Sequence, residues 1–177
     1  DIQIRGFKFR LPLDIHFVFT ANPEDYTNRG SIVTPLKDRI DSQVLTHYPK
    51  SLEDSLEITK QESKILEEQE EQVFVPAILK DLIEQIAFEA RKSEYIDANS
   101  GVSARLPISA YENLYSTAER RLLINNEKQS TARITDLYGI IPSITGKVEL
   151  VYEGEQEGPL KIAQILISKA IRSQFIN

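Results

Sequence analysis

An α/β body followed by an all-α one, predominantly α-helical overall, is the fold class this sequence predicts, and three observations predict it. Within the first fifty residues apolar side chains recur at alternate positions, as in strands. From about Ser51 they recur every three to four residues, as in helices. Helix-start signals, a hydroxyl before acidic residues or a proline ahead of an apolar stripe, appear in that second stretch. The boundary therefore falls near residue 50, with a sheet-containing domain over 1–50 and a helical domain over 51–177.

Each element follows from its local pattern. Ile2, Ile4, Phe7, Phe9 and Leu11 alternate within two short runs that flank Gly6, while Arg5, Lys8 and Arg10 face the other way, which predicts a β-hairpin or a bulged edge ribbon. Pro12 closes it. Ile15-His16-Phe17-Val18-Phe19-Thr20 is nearly all apolar, the pattern of a core strand covered on both faces. After a turn-rich stretch, Thr34-Pro35 supplies an N-cap and a first-turn proline, predicting a short helix that carries Arg39. Residues 43–47 have strand character before Tyr48-Pro49 ends them. Ser51-Leu52-Glu53-Asp54 starts a polar helix running to about Gln72. Pro76 opens a second helix with Leu79, Leu82, Ile83, Ile86, Ala87 and Ala90 on one face. A loop at 97–101 leads to a long helix over 103–123, broken or restarted at Pro107. Residues 131–138 read as helical and continue around Pro142, the acidic stretch 149–158 reads as a loop or linker, and 160–175 is a final amphipathic helix.

Composition narrows the chemistry. The 177 residues are 41% hydrophobic and 27% charged, a soluble globular balance that fits one ordinary domain or two small bodies. A formal charge of -6 argues against a general nucleic-acid surface, which needs a basic face. With no cysteine, disulfides, thiolate metal sites and cysteine nucleophiles are excluded, and two distant histidines, His16 and His47, make a histidine-based zinc site improbable. No metal ligands are therefore assigned. No apolar run is long enough to span a membrane and the start does not resemble a signal peptide. A chain that opens on Asp1 with a strand-like pattern and holds no methionine reads as the C-terminal part of something longer.

Three places combine a polar residue with a context that aims it. Asn22, in Thr20-Ala21-Asn22-Pro23 after the apolar run, stands where ligands bind beyond strand ends and where an amide can hold a phosphate oxygen or a water; taken alone it also reads as the start of an Asx-turn. Arg39 suits a phosphate presented by a neighbouring subunit, or else a surface salt bridge with Asp38 or Asp41; Arg29 beside Gly30 carries the same alternatives. Arg105 follows Gly101-Val102-Ser103-Ala104 into a helix, where a cation opposes the helix dipole unless an anion lies in front of it; the other reading is an interhelical salt bridge. The run 67–71 reads as a solvated acidic face, and Arg120-Arg121 with Glu119 as surface charge or a subunit contact.

In this order and spacing the segments resemble a known family. Thr20-Ala21-Asn22-Pro23-Glu24-Asp25, Arg29-Gly30, Thr34-Pro35-Leu36-Lys37-Asp38-Arg39 and Thr46-His47-Tyr48-Pro49 resemble the second half of the AAA+ core in the ATPase subunit of magnesium chelatase. Ser100-Gly101-Val102-Ser103-Ala104-Arg105-Leu106, Ala118-Glu119-Arg120-Arg121 and the stretch from Ile144-Thr145-Gly146-Lys147 to Tyr152-Glu153-Gly154 are similar to its helical lid. The resemblance implies a truncated AAA+ core, hairpin and last core strands, followed by a lid bundle. It implies Asn22 as the sensor-1 residue that reads the γ-phosphate, Arg39 as the arginine finger reaching the next subunit's nucleotide, and Arg105 as the sensor-2 arginine of the lid. The hairpin around Phe7 resembles the one that precedes sensor 1.

The departures are equally definite. No G-x-x-x-x-G-K-[ST] occurs, and no apolar run ends in Asp-Glu to hold Mg²⁺, so this stretch by itself is not expected to hydrolyse ATP or to bind a cofactor tightly. In the intact protein the resemblance implies ATP and Mg²⁺, a homo-oligomeric ring, a cytoplasmic location, and a chelatase-type partner that inserts Mg²⁺ into protoporphyrin. The alternatives are a MoxR-like remodelling ATPase acting on an integrin-like metal-binding partner, and a non-catalytic helical interaction module. Neither nucleic acid nor membrane is an expected partner.

Overall fold

A computed structural model describes residues 2–10, 15–20 and 38–175 and divides the chain into two units, Asp1–Thr46 and His47–Asn177. The described structure is predominantly helical with very little strand.

In the first unit β1 (Ile2–Ile4) and β2 (Phe7–Phe9) pair antiparallel with Ile4 opposite Phe7 and Gln3 opposite Lys8. Arg5 (φ 48°) and Gly6 (φ 87°) both take positive φ, the two-residue turn whose twist matches a tight hairpin. The hairpin expected from the alternation is present. Ile4, Phe7 and Phe9 are uncovered, Phe7 being 81% exposed. The core strand expected over 15–20 is corrected: these residues form no strand and Ile15, Phe17, Val18 and Phe19 are all exposed. A strand buried on both faces needs hydrogen-bonded neighbours and two covering layers, and among the described residues nothing pairs with it. The period-two pattern survives only locally, where the rings of Phe17 and Phe19 stack with centroids 6.2 Å apart. Residues 43–47 likewise form no strand, and Val44 and Leu45 are exposed.

The second unit is a helical bundle. Its helices are α1 (Leu52–Glu62), α2 (Glu67–Gln72), α3 (Ala77–Arg91), α4 (Arg105–Asn125), α5 (Ile141–Thr145), α6 (Tyr152–Glu157) and α7 (Pro159–Phe175). A 3₁₀ helix (Ile134–Ile140) precedes α5, and the two-residue strands β3 (Val73–Phe74) and β4 (Ser130–Thr131) pair in parallel. The core lies where α3 packs on α7 and α4, and α4 on the 3₁₀ helix and α5. Leu79, Leu82, Ile83, Ile86, Ala87 and Ala90 are all buried there, as the period of α3 requires.

Four local expectations are corrected. The single helix over 51–72 is two, because Ser63 turns extended and caps α1 through Thr59 O. Lys64 N then donates to Glu112 Oε1 (2.9 Å) and Gln69 Nε2 to Glu119 Oε2 (2.8 Å), so two acids two turns apart on α4 hold the break. Pro107 does not interrupt α4, since in the first turn its missing N–H leaves no bond unmade. Residues 130–131 are strand, with the helix beginning only at Ile134. The acidic stretch is also not a loop: Val151 N bonds Tyr95 O (3.1 Å), Glu153 and Glu155 suit the positive end of α6, and Gly158 (φ 90°) ends it. No helix among the described residues is long and apolar enough to cross a membrane.

Gly139 lets the 3₁₀ helix approach α4 closely. A Cβ on Gly139 would stand 2.0 Å from Thr117 Oγ1 and 2.9 Å from its Cβ and Cγ2. Thr117 is stiff and its hydroxyl donates to Asn113 O (2.7 Å), so it cannot step aside. Gly139→Ala is expected to destabilise the bundle by about 3 kcal/mol in urea unfolding, and by clearly less in a Thr117→Ala background. An equal loss in both backgrounds would place the strain elsewhere.

Candidate functional site

Of the three residues singled out in the sequence, Asn22 lies outside the described residues. Arg39 belongs to the first unit, where Asp38 and Arg39 form a turn and the Arg39 side chain is exposed. The preceding residues of its expected helix, 34–37, also lie outside the described residues, as does Arg29. Arg105 belongs to the second unit and is the first residue of α4, with its side chain exposed.

The approach to Arg105 is built from a chain of local bonds. Asp97 N donates to Glu149 O (2.9 Å), Asp97 Oδ1 accepts Asn99 N–H (2.9 Å), and Gly101 N–H closes the loop on Asp97 O (3.2 Å). Gly101 then takes φ 68°, which turns the chain into the helix. Ser103 Oγ accepts Arg105 N–H (3.2 Å) and Ser103 O accepts Leu106 N–H (3.0 Å), while Leu106 and Pro107 anchor the turn in the core. The first turn of α4 holds no acidic residue, so the Arg105 guanidinium sits at the positive end of the helix with no carboxylate in that turn to offset it.

Three features were not legible in the sequence. Arg121 is not free surface charge: its Nη2 lies 2.8 Å from Asp136 Oδ2 and 2.9 Å from Thr131 O, and its Nη1 2.8 Å from Ser130 Oγ. The hydrogen bond that it donates to the Asp136 carboxylate holds the guanidinium above its ordinary pKa. Neither Asp136 nor Ser130 had any motif to mark it.

The second is Glu84, fully buried, whose Oε2 accepts the hydroxyl of Ser55. The only fully buried residues of α1 are Ser55 and Thr59, so this polar helix docks on α3 through hydroxyls facing a carboxyl. Burial pushes the Glu84 carboxyl above the carboxylate range, opposed by Ser55, Thr59 and the charge of Arg91. Glu84 Oε1 and Thr59 Oγ1 stand without a well-formed hydrogen bond among the described residues. A carboxyl with a raised folded-state pKa holds its proton more tightly folded than unfolded. Its stability contribution is therefore full below the ordinary carboxylate range and declines as pH rises towards the folded value. Glu84→Gln is expected to match the wild type near about pH 4 and to melt higher at about pH 8. Thermal unfolding at both pH values checks this, and a variant that melts lower at the higher pH would show that attraction to Arg91 outweighs desolvation.

The third is the pair Tyr48 and Arg91, stacked with the guanidinium carbon 4.5 Å from the ring centre. Arg91 is the basic residue in the last turn of α3. Among the described residues no group of three or more His, Asp or Glu is placed to hold a metal ion. Comparison of the chain with family models, with curated proteins and with solved structures finds no match.

Proposed function

We propose that this chain is the C-terminal portion of a AAA+ ATPase resembling the motor subunit of magnesium chelatase, in which ATP hydrolysis within a ring drives a partner that inserts Mg²⁺ into protoporphyrin. The observation that carries the reading is Arg105. It is an exposed guanidinium on the opening turn of α4, after a positive-φ glycine loop and with no acid in that turn, a position that favours an anion in front of it. In this reading the anion is the phosphate tail of ATP, held with Mg²⁺ by a phosphate loop contributed from outside these residues. Asn22 positions the attacking water, Arg39 completes the next subunit's site, and Arg105 couples the helical unit to the nucleotide.

The test is affinity capture of the intact protein loaded with a non-hydrolysable ATP analogue, with the retained partners identified by mass spectrometry. Recovery of a large porphyrin-binding chelatase subunit supports the tetrapyrrole reading. Recovery of an integrin-like metal-binding protein without such a subunit replaces it by a remodelling ATPase.

A further inference from the structure

Both terminal nitrogens of Arg91, Nη1 and Nη2, are buried without a hydrogen-bond partner among the described residues. Its Nε makes only a long contact of 3.5 Å to Val102 O, and its guanidinium carbon lies 4.5 Å from the centre of the Tyr48 ring and 5.3 Å from that of Phe88. Buried polar groups are nearly always paired, and an unpaired charged one is more costly than the ~1–3 kcal/mol of a neutral group. Stacking on aromatic faces returns roughly 0.5–2 kcal/mol and leaves the N–H fork unused. Glu84, seven residues earlier on α3, attracts Arg91 electrostatically but forms no ion pair with it among the described residues.

Tyr48 closes this place in a particular way. Its hydroxyl oxygen accepts the N–H of Val102 (3.0 Å) and stands 2.4 Å from where a Cβ on residue 101 would be, room that exists only because Gly101 has none. The phenol oxygen thus takes the N–H bond that a ligand oxygen would take, and the ring stacks on the guanidinium whose unpaired N–H groups would bind the ligand's other oxygens. Removing Tyr48 would leave two unpaired donor sets, the Arg91 fork and the Val102 N–H. A carboxylate presents its lone pairs in one plane, whereas a tetrahedral phosphate presents oxygens out of it and matches both sets.

We propose that Arg91 and the Val102 N–H form a phosphate-binding site that Tyr48 occupies as a built-in plug. Phosphate and the Tyr48 side chain compete for the Val102 N–H and for the space against the Arg91 guanidinium. Tyr48 lies two residues beyond the boundary between the two units, so filling the site frees the connecting segment from the helical bundle. None of Asn22, Arg39 and Arg105 takes part, and the proposal stands or falls apart from the ATPase reading.

The experiment titrates the full 177-residue chain with inorganic phosphate at constant ionic strength, following the Val102 amide and the Arg91 Nε–H by ¹⁵N NMR. Phosphate is expected to shift both signals. Tyr48→Phe, which keeps the ring but loses the bond to Val102, is expected to bind about threefold or more tighter, and Arg91→Lys, which keeps the charge but loses the fork, about tenfold weaker. Both variants are checked for unchanged helicity, and the Tyr48→Phe arm decides should Arg91→Lys not fold. Arg91→Lys binding as well as wild type, absence of any phosphate shift in Tyr48→Phe, or equal binding of acetate would each overturn the site. A parallel titration with ATP assigns the source: tighter binding than phosphate assigns the group to a nucleotide, equal binding to free phosphate.

Discussion

On the proposed ATPase reading, replacing Arg39 by alanine in the intact protein is expected to lower ATP turnover by a factor of ~10³ or more, while nucleotide affinity stays within about threefold of wild type. An arginine finger contributes a charge to the neighbouring subunit's transition state, where negative charge spreads over the transferred phosphoryl oxygens, and contributes little to ground-state binding. The exposed turn at Asp38 and Arg39 leaves this side chain available for such a role. The measurement is steady-state ATP hydrolysis alongside equilibrium nucleotide binding. A ring that contains Arg39→Ala and turns over normally removes Arg39 from the mechanism. A loss confined to affinity would make it a binding residue of its own subunit. Mixing the variant with a subunit lacking the phosphate loop adds a further check, because a finger acting across the interface restores activity only in mixed rings.

Arg121→Met is expected to destabilise the helical unit by about 3 kcal/mol, whereas Arg120→Met, one residue earlier, should change stability by less than about 0.5 kcal/mol. The two arginines are adjacent in sequence but on different sides of α4. Arg120 is exposed, while Arg121 has only 20% of its side chain exposed and Asp136 only 7%. The methionine retains the packing of the aliphatic stem, so the loss reports the guanidinium. Without it the Asp136 carboxylate keeps only the Arg133 N–H (2.7 Å), and Ser130 Oγ and Thr131 O lose their donor, which loosens β4 and the start of the 3₁₀ helix together. The partial exposure of Arg121 keeps the effect at the lower end for a broken buried pair. Denaturant unfolding of both variants checks this, and equal midpoints would return Arg121 to the class of solvated surface charges.

The helical unit was legible because its signals are local. The Ser51 cap, whose Oγ accepts Asp54 N–H (3.1 Å), the apolar stripe of α3 and the amphipathic run of α7 each depend on a few neighbouring residues. The first unit was less legible. A hairpin needs only its turn and its two runs, and it forms, whereas a buried strand depends on residues far away in the chain, so the apolar content of 15–20 could not show whether anything would cover it. The candidate phosphate-recognition residues were visible through their motifs, while Arg91 and Glu84 had none and Arg121 read as surface charge or a subunit contact. Their roles arise from partners such as Tyr48, Ser55 and Asp136.

The sequence by itself thus determined the predominantly helical class, the hairpin turn, the buried face of α3 and the placement of Arg105 at a helix start, because period, capping and turn chemistry act over a few residues. Only the tertiary structure decided that α1 and α2 separate at Ser63, that Arg121 is tied to Asp136 and that Arg91 lies covered by Tyr48. These depend on contacts between segments remote in sequence, and desolvation at such contacts, which no local pattern encodes, is what turns an ordinary charged residue into a structural or binding one.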